Sequence, residues 1–408
     1  MVQIAPYRAW HPTQKFVKQV ASPPYDVLSY DEALALSRDN PHSFLHVTRP
    51  DVDVSLDASE QVRLDQARRA WQRSCDAGVF AQDATPCLYV WQMSTASHCQ
   101  TGLSCVVATS DYETGSVRKH ELTRPDKEDD RTHHIDFLKL QTGNTLLMHR
   151  SLGTAANNAR DDVDALCARV AECEKPFLEL QADDCVAHRV FRIQDTARIQ
   201  IIQDCFERMP LVYIADGHHR TAGAARVAAQ RATNPLAQWF VAVTFSHTQM
   251  KILPYHRVVL DVSLQETSAL LTMLRSECVV EEKAPSVLRE HQCGFFVQGI
   301  WYVATFPPAW MSGVEHLDVV IVQKYVLSKV FHCENPRTDA RLQFVGGSDV
   351  VAFESYIEKH ASQNSVGIFM HPTPVDAVLS TADAGGIMPP KSTWFHPKLR
   401  DGLLVYAL

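Results

Sequence analysis

The residues best suited to chemistry stand in one short run, LVYIADGHHRTAGAAR, from Leu211 to Arg226. An apolar stretch, Leu211 to Ala215, has the character of a buried strand and stops at Asp216. Gly217 turns the chain, and an alanine-rich stretch from Thr221 to Ala232 follows, a strong helix former. A helix that begins straight after a strand offers unpaired backbone N–H groups and the positive end of its dipole, and both attract anions. Arg220 adds a planar fork matched to phosphate oxygens, while His218 and His219 can donate to an anion or exchange a proton near neutral pH. Asp216, at the end of the strand, can hold a metal or orient a hydroxyl. Gly217, His219, Arg220 and Thr221 are therefore candidate phosphate-binding residues, with Asp216 and His218 as candidate catalytic ones. The plainer reading is an N-cap aspartate beside two solvated histidines, and four such groups at one turn weigh against it. The spacing is not GxxxxGKS/T, so the turn is no Walker P-loop.

Three further stretches carry usable groups. The run RKHELTRPDKEDDR, Arg118 to Arg131, is followed by His133, His134 and Asp136 and reads as a solvated, charged loop. Within it Arg124, Lys127 and Arg131 could neutralise a polyphosphate, and Glu121 could take a hydroxyl proton. Near the other end, MPPKSTWFHPK from Met388 to Lys398 presents Lys391, Ser392 and Thr393 as donors for a phosphate or carboxylate, or else is a tail that docks through Trp394 and Phe395. In ASPPYDV, Ala21 to Val27, Tyr25 and Asp26 suit an ammonium group. No one of these stretches supplies a base, a phosphate clamp and a substrate pocket, so chemistry requires them to converge.

The elements that must position these groups alternate in type. Helices are expected at 59–79, 161–172, 197–208, 221–232, 265–275, 317–330, 350–360 and 374–380. Strands are expected at 87–91, 102–107, 188–193, 211–215, 239–245, 294–298, 301–306 and 365–370. The first fifty residues are rich in proline and aromatics and read as extended chain laid across another unit. The fold class is α/β or α+β. Three regions are expected: 1–85 packing on a core at 86–260, and 261–408 returning a tail to the site.

The bulk properties exclude several classes. The 408 residues carry a net charge of −8, opposite in sign to a protein that grips nucleic acid by its backbone. No apolar run reaches the roughly 20 residues that span a bilayer, and the first residues, MVQIAPYRAWHPTQKF, do not resemble a signal peptide. The eleven cysteines are scattered without a CxxC pair, so reduced thiols, a cytoplasmic setting and no zinc site are expected.

Taken together, SPPYDV, KHE-x-TRPDKE-x-DR, IADGHHR, ILPYHR at 252–257 and MPPKSTWF-x-PK resemble the bacterial SerK-like family, long known only as a domain of unknown function. The resemblance runs over nearly the whole chain in the same motif order. It implies a ParB/sulfiredoxin-like core with elaborations at both ends, related to the archaeal free-serine kinase. It also implies formation of O-phospho-L-serine from L-serine with pyrophosphate, ADP or ATP as donor and Mg²⁺ present. Under the resemblance Glu121 is the candidate base and the DGHHR turn, Asp216 to Arg220, holds phosphate. No GxGxxG, HRD or DFG pattern marks a nucleotide site. A turn crowded with His, Arg and Lys suits a small, charge-dense donor, which favours pyrophosphate over a nucleotide. Two other readings use the same residues: a regulator that binds a nucleotide or phospho-ligand without turnover, and a phosphate-ester or nucleotide hydrolase.

Overall fold

The computed structural model describes residues 1–151, 162–311, 316–360 and 364–408. The chain folds as two compact units, Met1–Met250 with Pro397–Leu408, and Lys251–His396. Both are mixed α/β. Among the described residues no helix is long and apolar enough to cross a membrane.

The first unit is built on a nine-stranded mixed sheet. Its spatial order is Val117–Arg118, Val212–Asp216, Thr145–His149, Trp239–Ser246, Cys99–Ala108, Leu88–Ser94, Ala187–Ile193 and Leu178–Gln181, with Ile4–Ala5 pairing on Cys99–Ala108. Val212, Tyr213, Ile214 and Ala215 are all buried, because this strand is covered on both faces, and that is why it reads as a continuous apolar run. It runs parallel to Val117–Arg118 and antiparallel to Thr145–His149. The second pairing shifts register between Ile214 and Asp216. Such irregularities re-aim a side chain, here the carboxylate at the strand's end.

The helix His218–Gln230 leaves the sheet directly after Gly217 and buries Ala222, Ala224, Val227 and Ala228. Beside it lies a second helix, Pro125–Leu138, where a solvated loop was expected. Few apolar residues mark that helix because its buried face is largely polar: Arg131, Thr132 and His134 are buried along with Ile135 and Leu138. Ion pairs join the two helices: Arg226 reaches Asp129 at 2.6 Å and Glu128 at 3.3 Å, and Arg231 Nη2 reaches Asp136 at 3.0 Å.

The first fifty residues also depart from expectation. They are not one extended strap, because the short helices Val17–Val20, Tyr30–Ser37 and Leu45–Thr48 interrupt them. A full capping box at Ser29 and Glu32 starts the second of these helices. The C-terminal residues return to the same unit. Tyr406–Ala407 pairs with Leu140–Gln141, and isolated bridges tie Trp10 to Val405 and Ser22 to Asp401.

The second unit holds a six-stranded sheet in the order Val279–Glu281, Ile300–Thr305, Gln292–Val297, Val366–Met370, Tyr255–Val259 and Leu342–Gly346, every pair antiparallel. Helices Leu264–Glu277, Val350–His360 and Val375–Asp383 stand where the periodicity placed them. The helix expected at 317–330 is a short α-helix, Asp318–Ile321, that continues as the π-helix Val322–Ser328. Of the helix expected at 161–172, residue 161 lies outside the described residues, and the helix itself is Val163–Cys173.

Candidate active site

Gly217 makes the turn possible. Its φ of +94° is left-handed, and a β-carbon there would meet the Thr145 backbone at 3.3 Å and Arg220 Nη1 at 3.3 Å. Glycine thus lets Arg220 fold back under the turn. Neither the helix behind Gly217 nor the helix Pro125–Leu138 has a side-chain cap at its N-terminus. The two N-termini are joined: the Arg124 N–H donates to His219 Nε2 at 3.0 Å. The start of the helix His218–Gln230 keeps its first N–H groups without a side-chain cap, while His219 itself caps the neighbouring helix from outside.

The side chains around the turn are largely buried. Asp216 pairs with Lys398 at 3.2 Å. Burial pushes the Asp216 carboxyl up, but Lys398 and Arg220 outweigh it and hold it well below the usual carboxylate range. The His218 ring packs edge-on against His120 at 4.7 Å, and burial keeps both rings neutral. Arg220, only 7% exposed, donates from Nη1 to the Asn144 carbonyl at 2.6 Å and from Nη2 to Asp26 at 3.4 Å. Thr221 is fully buried and its hydroxyl lies between Thr145 Oγ1, 3.0 Å away, and the Gly217 carbonyl, 3.2 Å away.

A cleft of 750 Å³ opens beside this cluster. Tyr25 and Asp26 form one wall, and Asp126, Lys127, Asp129, Asp130 and Arg131 of the neighbouring helix form another. The volume is that of an ordinary small-molecule site, whose range is roughly 300–1,000 Å³. Arg131 lies over the Tyr25 ring at 4.0 Å and is held by Asp130 at 2.6 Å. Among the described residues no group of three or more His, Cys, Asp or Glu side chains is arranged to hold a metal ion.

A family model described as a protein of unknown function, DUF1015, matches residues 4–320. The chain belongs to the DUF1015 family. No protein of curated function matches it. Among solved structures, a free serine kinase in complex with AMP is 10% identical, covering 74% of this chain and 91% of that chain at a TM-score of 0.38. SbnI from Staphylococcus aureus, C-terminally truncated, is 10% identical, covering 74% and 87% at 0.38. A conserved hypothetical protein from Pyrococcus furiosus is 12% identical, covering 76% and 97% at 0.36. At these values the likenesses carry no argument about activity.

In this DUF1015 chain the expected residues are brought together unevenly. Asp216 to Arg220, Tyr25, Asp26 and Arg131 share one region of the first unit. Glu121 lies half-buried on the bend between Val117–Arg118 and the helix Pro125–Leu138, directly after His120. Arg124 and Arg131 are already paired, with Asp126 and Asp130, while Lys127 lies exposed on the cleft wall. Lys391, Ser392 and Thr393 belong to the second unit, where Lys391 lies over the Tyr255 ring at 5.2 Å and the Ser392 hydroxyl donates to the Pro389 carbonyl at 2.7 Å. Sequence reasoning missed Lys398, Asn144, His120 and Asp401. Lys398 and His120 had a signal, as the last residue of the MPPKSTWF-x-PK motif and the histidine of KHE, and the others had none of their own.

The buried histidines give the DUF1015 chain an acid-sensitive fold. Burial lowers His120 and His134 to about 4 and His188 to about 3, with His218 also well below its ordinary value. An unfolded histidine titrates near about 6.5, so below that pH the unfolded chain binds protons that the fold refuses. Stability should therefore fall as pH drops from about 6.5 toward 4. Asp401, raised by burial to about 7, and Asp318, raised by burial to about 6, act in the opposite sense, gaining stability as pH falls through those values, but His256, lowered by burial to about 3, joins the histidines against them. Urea midpoints measured across this range check the sum, and a flat profile would contradict it.

Proposed function

We propose that this protein is a phosphotransferase that moves a phosphoryl group from a small phosphoanhydride, pyrophosphate before ADP or ATP, to the hydroxyl of free L-serine. The observation that carries the reading is the start of the helix His218–Gln230, which has no side-chain cap, beside Arg124, Asp216 and Lys398. Such a cradle favours a dense anion over an extended one. The adjoining 750 Å³ cleft is large enough for a donor and an amino acid together. Its wall alternates acids with Lys127 and Arg131 and presents no aromatic pair to sandwich a base, which favours pyrophosphate. The choice of serine rests on the motif resemblance.

Mg²⁺ suits this reading as an ion carried by the donor. It keeps several waters and binds phosphates with only one or two carboxylates, and Asp216, a quarter exposed at the strand's end, would supply one. The ion would neutralise charge on the phosphoryl oxygens. The chain's own residues would do the rest: the helix start and Lys398 hold the anion, and buried His218, kept neutral, adds no proton of its own. Phosphorus NMR of the pure protein with L-serine, Mg²⁺ and each donor in turn tests the reading. O-Phosphoserine with consumption of pyrophosphate is expected. Donor breakdown without serine phosphorylation would favour a hydrolase, and donor binding without turnover a regulator.

A further inference from the structure

One small cavity in the first unit is walled by charged groups. It measures 20 Å³, and Tyr25, Arg131, His134, Thr145, Arg220 and Asp401 line it with their neighbours. Two of these residues keep a buried hydrogen-bonding atom without a partner. Arg220 spends Nη1 on Asn144 and Nη2 on Asp26, and its Nε–H has none. Asp401, 1% exposed, accepts from the Tyr25 N–H, and its Oδ2 has none. Gly143 lets the pair share this space: a β-carbon there would sit 2.9 Å from Asp401 Oδ1 and 3.3 Å from Arg220 Nε.

The residues that carry this unmet donor and unmet acceptor both line the cavity, and the two atoms set the chemistry of what would fit between them. The guest must accept one hydrogen bond and donate another. An ammonium group only donates, and a carboxylate or phosphate only accepts; a hydroxyl or a water does both. The volume is that of about one such group. The cavity and the large cleft adjoin, sharing Tyr25, Arg131 and His134 as lining.

We propose that this cavity receives the hydroxyl of the acceptor, with Arg220 Nε–H donating to its oxygen and Asp401 Oδ2 taking its proton. The proposal rests on the phosphotransferase reading and moves the base from Glu121 to Asp401. In the step, the hydroxyl O–H bond breaks and the proton passes to Asp401. The oxygen bonds to a phosphorus of the phosphoanhydride, and the anhydride P–O bond breaks with its electron pair on the departing phosphate. Burial raises Asp401 to about 7, Arg220 and Arg131 draw it down, and Asp26 pushes it up. Of the other titratable groups on this cavity, burial keeps the Tyr25 hydroxyl protonated, and His134 is neutral and donates Nε2–H to the Val47 carbonyl at 2.9 Å. A carboxylate that exchanges its proton near neutral pH is matched to the work of a base.

Calorimetry with L-serine and with L-alanine, which differs by the hydroxyl alone, tests the pocket apart from turnover. The wild type should prefer serine by at least about tenfold, since alanine leaves both buried atoms unpaired. Asp401→Asn should bring that ratio toward one and lower kcat with pyrophosphate by about 10²–10⁴-fold, leaving pyrophosphate affinity unchanged. Gly143→Ala fills the cavity without altering charge and should also erase the serine preference, which keeps the test open if the first variant fails to fold. An unchanged serine-to-alanine ratio in a folded variant would mean a structural water only and overturn the proposal, as would full turnover in Asp401→Asn. If the wild type transfers no phosphoryl group yet shows the preference and loses it in the variants, the phosphotransferase reading fails and the hydroxyl pocket stands.

Discussion

The Arg220→Ala variant is expected to lose about 3–5 kcal/mol of folding free energy, the range found when one partner of a buried ion pair is removed. Read from sequence, Arg220 is a phosphate-binding fork whose loss weakens donor binding. The structure puts its guanidinium inside, between the Asn144 carbonyl and Asp26, with Asp401 and Asp216 close enough to raise its proton affinity. Without it, Asp401 keeps the repulsion of Asp26 and has Arg131 as the remaining nearby cation. Urea unfolding at neutral pH gives the number directly. Arg220→Lys should fall between the two, because an ammonium keeps the charge but cannot span both acceptors as a planar fork does. A loss under about 0.5 kcal/mol for Arg220→Ala, the scale of ordinary surface changes, would show that the buried cluster does not depend on this residue.

Lys398→Met should act on Asp216 in two ways. With the ammonium gone, burial pushes the carboxyl upward against Arg220 alone. The stability that Asp216 contributes is present above the pKa of an unfolded carboxyl, about 3.9, and is lost as pH falls through the lower folded value. The variant should thus be less stable than the wild type by about 1–3 kcal/mol at pH 7, with the gap closing in acid. The figure lies below that for Arg220 because Arg220 also serves the buried Asn144 carbonyl and lies near buried Asp401, whereas Lys398 pairs with Asp216, a quarter exposed. Pyrophosphate affinity should drop as well, at least tenfold if Lys398 contributes one charge-assisted hydrogen bond of about 1.5–3 kcal/mol. Equal donor affinity in a folded Lys398→Met protein would remove Lys398 from the anion site and leave it a counterion of Asp216.

The parts of the site that were legible in the sequence are those with local rules. Leu211 to Ala232 announced a strand, a turn and a helix because β-branched residues, a glycine and a run of alanines each prefer one backbone state. The helix Pro125–Leu138 obeys local rules too, with proline at its first position and Asp126 and Glu128 in its first turn. It was hidden because periodicity is sought in apolar residues, and this helix buries Arg131 and His134 instead. Asp401 could not have been found that way. It sits in a short tail with no pattern around it, and its importance comes from Gly143, Arg220 and Tyr25, all distant in sequence. Thr221 shows the converse: it adjoins the turn in sequence, yet its hydroxyl is spent inside the fold.

The first unit closes only with Pro397–Leu408, and the whole of Lys251–His396 is encoded between its two parts. Translation runs in one direction, so Asp216 and Arg220 leave the ribosome long before Lys398 and Asp401 do. Until the tail arrives, the large sheet can form but its charged centre lacks one cation and one carboxylate. Contacts of such long sequence separation form late, because the closure entropy comes before any reward. A chain stalled within the second unit would therefore keep its framework and lack Lys398 and Asp401, so completion of the charged centre is the last step in assembling the nascent unit.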